Sequence, residues 1–114
     1  MTKNIFELPL KSEVIHEGVG LCNHTTVFDE SELKSPIRFV NYTVLPVGTT
    51  FGLHQHGDDN EFYVVLEGEG EYTSNGITEK VTKGSIMVNP PFATHGLKNT
   101  GNAELKMLVF EAFN

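Results

Sequence analysis

Apolar and polar side chains alternate in short runs along most of this chain, and the runs are rich in β-branched and aromatic residues. Seven of them read as strands: CNHTTVF (22–28), RFVNYTVL (38–45), EFYVVLE (61–67), GEYTS (70–74), ITEKV (77–81), SIMVN (85–89) and ELKMLVFEAF (104–113). Glycine, proline, asparagine and aspartate punctuate them at short intervals, the pattern of a β-sandwich or barrel. Helical periodicity is nearly absent, and Ser31–Lys34, just ahead of Pro36, is the only stretch where a helical turn fits. Between GEYTS and ITEKV stands Asn75-Gly76, a pair that tolerates positive φ and predicts a tight type I′ hairpin.

The run EFYVVLE places Glu61, Tyr63 and Val65 on one face and Phe62, Val64 and Leu66 on the other. Both faces are therefore largely apolar, and the outer one needs a cover. A second β layer of the same chain supplies one, as does a second subunit, so a homodimer is expected. Residues 1–20, with Pro9, several charges and Gly18-Val19-Gly20, read as an arm leading into a single barrel domain over 21–114.

Composition narrows the function classes. The 114 residues suit one core, and 39% of them are apolar. Fifteen acidic against 8 basic residues give a net charge of −7, which provides no basic patch for nucleic acid or anionic lipid. Apolar runs are too short to span a bilayer, and no secretory signal is visible at the N-terminus, so a cytoplasmic location is expected. The single cysteine, Cys22, rules out an intrachain disulfide and a thiolate cluster and reads as a small buried side chain. Any metal must be held by histidine and carboxylate.

Candidate chemistry concentrates in GTTFGLHQHGDDNEFYVVLEG. His54 and His56, two apart on a strand, point to the same face. Gly57–Asn60 reads as a solvated turn that brings Glu61 back to the same depth on the neighbouring strand, so these three side chains converge. The segment resembles the first cupin motif, with Gly48, His54, His56, Glu61 and Gly68 at its fixed spacings. The later segment GSIMVNPPFATHGLKN resembles the second cupin motif through Gly84, Pro90, His95 and Asn99, with Phe92 standing where that motif has glycine.

The resemblance implies a double-stranded β-helix, or jelly roll, and a metal site made by His54, His56, Glu61 and His95. Three imidazoles and a carboxylate suit one divalent ion per chain, Fe, Mn, Ni, Zn or Cu, and donor chemistry alone does not choose among them. The same groups in an empty pocket would leave buried polar atoms uncompensated, which argues for the metal. Tyr63, on the face of Glu61, is the candidate catalytic residue, its hydroxyl aimed at a substrate or a metal-bound water; packing in the core is the alternative. Met87 and Phe92 are expected to form apolar pocket wall, and His16 and His24, outside both motifs, are set apart from the site.

Function is the least legible property, because the cupin fold hosts many chemistries. A metal-dependent enzyme acting on a small oxygen-bearing organic substrate, by isomerase, lyase or decarboxylase, or dioxygenase chemistry, is expected; the alternative is a non-catalytic module binding a small ligand or metal. No helix-turn-helix accompanies the barrel, which removes direct DNA binding.

Overall fold

The structure, a computed structural model, describes residues 1–113. Among these residues ten strands form two sheets. The strands are β1 (Lys11–Glu13), β2 (Cys22–Phe28), β3 (Ile37–Leu45), β4 (Thr50–Gln55), β5 (Asp59–Glu67), β6 (Glu69–Ser74), β7 (Ile77–Thr82), β8 (Ile86–Asn89), β9 (Thr94–Asn99) and β10 (Leu105–Phe113). One sheet runs β1-β2-β3-β10-β5-β8 and the other β4-β9-β6-β7, with all paired strands antiparallel. This is the all-β class the alternation pointed to and the jelly roll that the motif resemblance implied.

The core lies between the sheets. In β5 burial alternates strictly, with Glu61, Tyr63 and Val65 inside, and β10 answers with Leu105, Met107 and Val109. Leu45, Phe51 and Leu97 complete the contact from the other strands. The hairpin turn between β6 and β7 has both Asn75 (φ 48°) and Gly76 (φ 82°) in the left-handed region, as a type I′ turn requires.

Three strands lie outside the seven predicted runs. β1 is only three residues long and exposed throughout, while β4 and β9 carry polar inward residues that interrupt the apolar alternation. At 29–33 the expected helical turn is a hydrogen-bonded turn, with Leu33 N–H donating to the Asp29 carbonyl at 3.0 Å. The 3-10 helix is instead at Ile5–Glu7, capped by the Asn4 side chain.

Residues 1–20 are tied to the barrel through β1, which pairs with β2, and at two further places. Ile5 and Leu8 pack outside the larger sheet against Val27, Tyr42 and Val44, covering part of its outer face. Further on, Ile15 pairs with Phe51 of β4, and Val19 and Thr50 exchange hydrogen bonds of 2.8 and 2.9 Å. Between these anchors His16 (φ 51°) and Glu17 (φ 55°) are both left-handed, a conformation unfavourable for residues with a Cβ.

Candidate metal centre

β4 and β9 set His54 and His95 directly opposite each other in register. An irregularity between Phe51 and His54 leaves Leu53 64% exposed while the His54 ring turns in toward His95, 4.3 Å away between ring centroids. His56 lies just past the end of β4 rather than on it, and its position is held by its N–H donating to the Ala93 carbonyl at 2.8 Å. Glu61 arrives from β5 in the other sheet. One donor atom from each of His54, His56, Glu61 and His95 falls within 4.8 Å of the others.

The contacts prepare these donors. His54 Nδ1 lies 2.9 Å from the Gly52 carbonyl, so this nitrogen carries the hydrogen and Nε2 keeps its lone pair. His95 is fully buried, its Nε2 3.2 Å from Glu61 Oε1 and its Nδ1 without a partner among the described residues. Burial raises the Glu61 carboxyl, but hydrogen bonds with His95, Tyr63 and Glu111 outweigh it and hold the group below the usual glutamate range. Burial lowers His54, which keeps its imidazole neutral and able to coordinate. Three imidazoles and an ionised carboxylate, converging and buried except for the half-buried His54, fit a borderline divalent cation.

Behind the cluster stand residues that the sequence patterns passed over. Glu111 pairs with Glu61 across β5 and β10; burial and its hydrogen bond to Glu61 push its carboxyl up to about 8. Asp59 was expected in a solvated turn, yet it is 4% exposed, because its carboxylate has partners inside: His56 Nε2 at 2.6 Å, a contact off hydrogen-bond geometry, and Arg38 Nη1 at 3.3 Å. His56, Asp59 and Glu111 make a second group of potential ligands, sharing His56 with the first. His16, set apart in sequence, stacks on His54 with centroids 3.5 Å apart, carried there by the left-handed arm.

Tyr63 is 2% exposed and its phenol hydrogen-bonds to Glu61; burial, with the Glu61 charge next, raises it well above the usual tyrosine value. It lines, with Glu61, Glu111 and His16, a cavity of about 410 Å³. His24 also lines this cavity, although it was set apart from the site. Met87 and Phe92 do not. Met87 is turned into the core, and Phe92 is 59% exposed because its left-handed backbone (φ 62°) projects the ring outward. Glu111 was within reach of a sequence reading, since it continues the inward series Leu105, Met107, Val109; His16 and Asp59 had no comparable signal.

Comparison with known proteins comes to rest on the same region. The family model described as "Cupin domain" matches residues 41–111, which include all four clustered residues. A relative named oxalate-binding protein, from Thermotoga maritima, is 36% identical over 92 residues, covering 81% of this chain and 76% of its own length. A crystal structure described as a predicted oxalate decarboxylase, also from Thermotoga maritima, matches 100% of both chains with a TM-score of 0.96 at 24% identity. The cupin domain of Schizosaccharomyces pombe Cnp3 matches 99% of this chain and 74% of its own, with a TM-score of 0.83 at 14% identity. The two structural likenesses speak to the fold alone.

Proposed function

The chain belongs to the cupin family, and from that footing we propose that His54, His56, Glu61 and His95 hold one divalent metal ion that fixes a small organic acid in the adjoining cavity. The convergence of their four donor atoms within 4.8 Å carries the reading. The relative named for oxalate binding supports a carboxylate as the ligand's anchoring group. Such an ion, when bound, supplies Lewis acidity toward an oxygen of the acid.

The protein's own groups then orient the ligand and handle protons. In the metal-free protein burial and the neighbouring Glu61 carboxylate favour the protonated forms of Tyr63 and Glu111, and both line the cavity beside Glu61, which places each to pass a proton to an anchored acid. A proton source at that place suits lyase or decarboxylase chemistry, in which a carbon left electron-rich by bond cleavage takes up a proton. A non-catalytic binding role is the second reading, favoured by the relative whose name states binding and no turnover.

Three further points belong to the same proposal. The half-buried outer face around Phe62 and Phe110 supports a homodimer, the lone buried Cys22 accords with a cytoplasmic protein, and residues 1–20 act as an arm on one barrel domain. Among the described residues no helix is long and apolar enough to cross a membrane.

Elemental analysis of untagged protein tests the centre. About one equivalent of metal per chain is expected in the native protein, and less than about a tenth in His54→Ala, Glu61→Ala and His95→Ala. Unchanged stoichiometry in all three variants would overturn the ligand set. Carbon dioxide release from oxalate and related acids by the loaded protein separates lyase chemistry from binding alone, which calorimetry detects without turnover.

A further inference from the structure

The cavity has two ends, and the metal cluster accounts for only one of them. Its volume of about 410 Å³ lies within the ~300–1,000 Å³ usual for small-molecule sites. Glu61, Glu111 and Tyr63, from β5 and β10, line one end. At the other, His24 of β2 stands opposite Thr43 of β3, with Asn41 two residues along the same strand and also facing in. β2 and β5 are three places apart in the sheet, so about 14 Å separates their backbones along it. A two-carbon dicarboxylate anchored beside Glu61 leaves the far end untouched. Between the ends the wall is apolar, made by Phe39, Phe51 and Val109.

The polar groups of the far end define what they can receive. Asn41 belongs to the cavity lining, and its Oδ1 is buried and accepts no hydrogen bond among the described residues, which leaves an acceptor in that wall unmet. His24 Nε2 lies 2.5 Å from Glu13 Oε1, a contact off hydrogen-bond geometry, so the one carboxylate at this end has an imidazole beside it. A second carboxylate on the ligand would meet Glu13 and a lone acceptor and be repelled by both. A hydroxyl suits the place, because it donates to Asn41 and accepts from a neighbour.

We propose that the cavity takes an organic acid with two recognised ends: a carboxylate held at the metal centre and a hydroxylated tail several carbons long, read by Asn41 with His24 and Thr43 beside it. This rests on the metal-centre reading above. The apolar middle wall packs against the carbon backbone of the tail, and the arm residue His16 lies over the metal end of the same cavity. Asn41 and His24 are thus specificity-determining residues for tail recognition, and neither belongs to the clustered ligand set.

Calorimetry on the Mn²⁺-loaded protein with three acids tests this. Oxalate reports on the metal end alone; gluconate and 2-hydroxyhexanoate share chain length, carboxylate and 2-hydroxyl and differ in the tail hydroxyls. Gluconate is expected to bind about tenfold more tightly than 2-hydroxyhexanoate, the effect of one well-placed hydrogen bond to an otherwise unmet acceptor. Asn41→Ala and His24→Ala are expected to erase most of that difference while leaving oxalate affinity within about twofold. Equal binding of the two six-carbon acids by the native protein overturns the proposal without recourse to any variant. Oxalate binding without gluconate binding overturns it too, as do variants that weaken oxalate as much as gluconate. Failure to take up Mn²⁺, or to bind any of the three acids, overturns the metal-centre reading itself.

Discussion

Glu111 and Glu61 share a buried site in which one carboxyl is held low and the other is pushed up to about 8. In the unfolded chain a glutamate titrates near ~4.3. Stability linked to the Glu111 proton is therefore complete below that value and is lost as pH rises toward 8. Glu61 has the opposite sign, its contribution present at neutral pH and lost in acid. Metal-free protein is thus expected to melt at a lower temperature at pH 8 than at pH 6, and Glu111→Gln to flatten that slope in calorimetric scans across the range. Phe92 offers a second test at this scale. Its left-handed backbone costs roughly 1–2 kcal/mol, which glycine would relieve against roughly 0.5–1 kcal/mol of added chain entropy. The hydrogen bonds at this residue, to Gly57 and from Gln55, use its backbone and survive the change. Phe92→Gly is expected to raise the melting temperature by a few degrees, corresponding to about 0.5–1 kcal/mol. Residues were legible where covalent spacing alone brings them together: His54 on β4, His56 just past its end and Glu61 on β5 are joined by one short connection. Asp59 was misread because its partner Arg38 comes from a distant strand. His16 was missed because nothing in local periodicity announces a left-handed arm.

At the scale of elements, β4, with the residue just past its end, and β9 deliver three of the four clustered residues, yet neither stood out as a run of alternating apolar residues. The reason is physical: inward positions that carry imidazoles cannot also carry valine or leucine, so a site erases the pattern that would reveal its strands. β5 and β10, whose inward positions are mostly apolar, were readable over nearly their whole length. The arm docks on β4 through a close backbone approach, since a Cβ on Gly52 would strike the His16 carbonyl and Gly52 N–H donates to the Ile15 carbonyl at 3.3 Å. Gly52→Ala is expected to cost about 1–3 kcal/mol and to free the arm. Limited proteolysis should then cut within residues 10–20 faster than in the native protein, and equal cleavage rates would show that the arm is not held there.

For the whole molecule, the outer face of the larger sheet is covered only in part. Ile5 and Leu8 close the patch over Val27, Tyr42 and Val44, while Phe62 and Phe110 stack at 5.1 Å without comparable cover, near the exposed Ile86 and Val88 of edge strand β8. Light scattering is expected to give twice the chain mass, and Phe62→Glu to give the single chain mass with unchanged circular dichroism. A native protein scattering as a single chain would remove the dimer. The fold class was legible from alternation and turn signals, whereas the covering of this face was not, because alternation reports that a face is apolar and not what lies on it.

The place of β10 in its sheet has a consequence for biosynthesis. It is the last strand in chain order but lies between β3 and β5, joining the two halves of the six-stranded sheet. While the polypeptide is still being made, β2–β3 and β5–β8 can each pair, yet no strand of their sheet joins them until β10 leaves the ribosome. Until then the edges of β3 and β5 stand open, and Glu61 lacks the Glu111 carboxyl that backs it. The nascent barrel is therefore unfinished, and open to pairing with other chains, until β10 arrives; its pairing completes the sheet and the surroundings of Glu61 together.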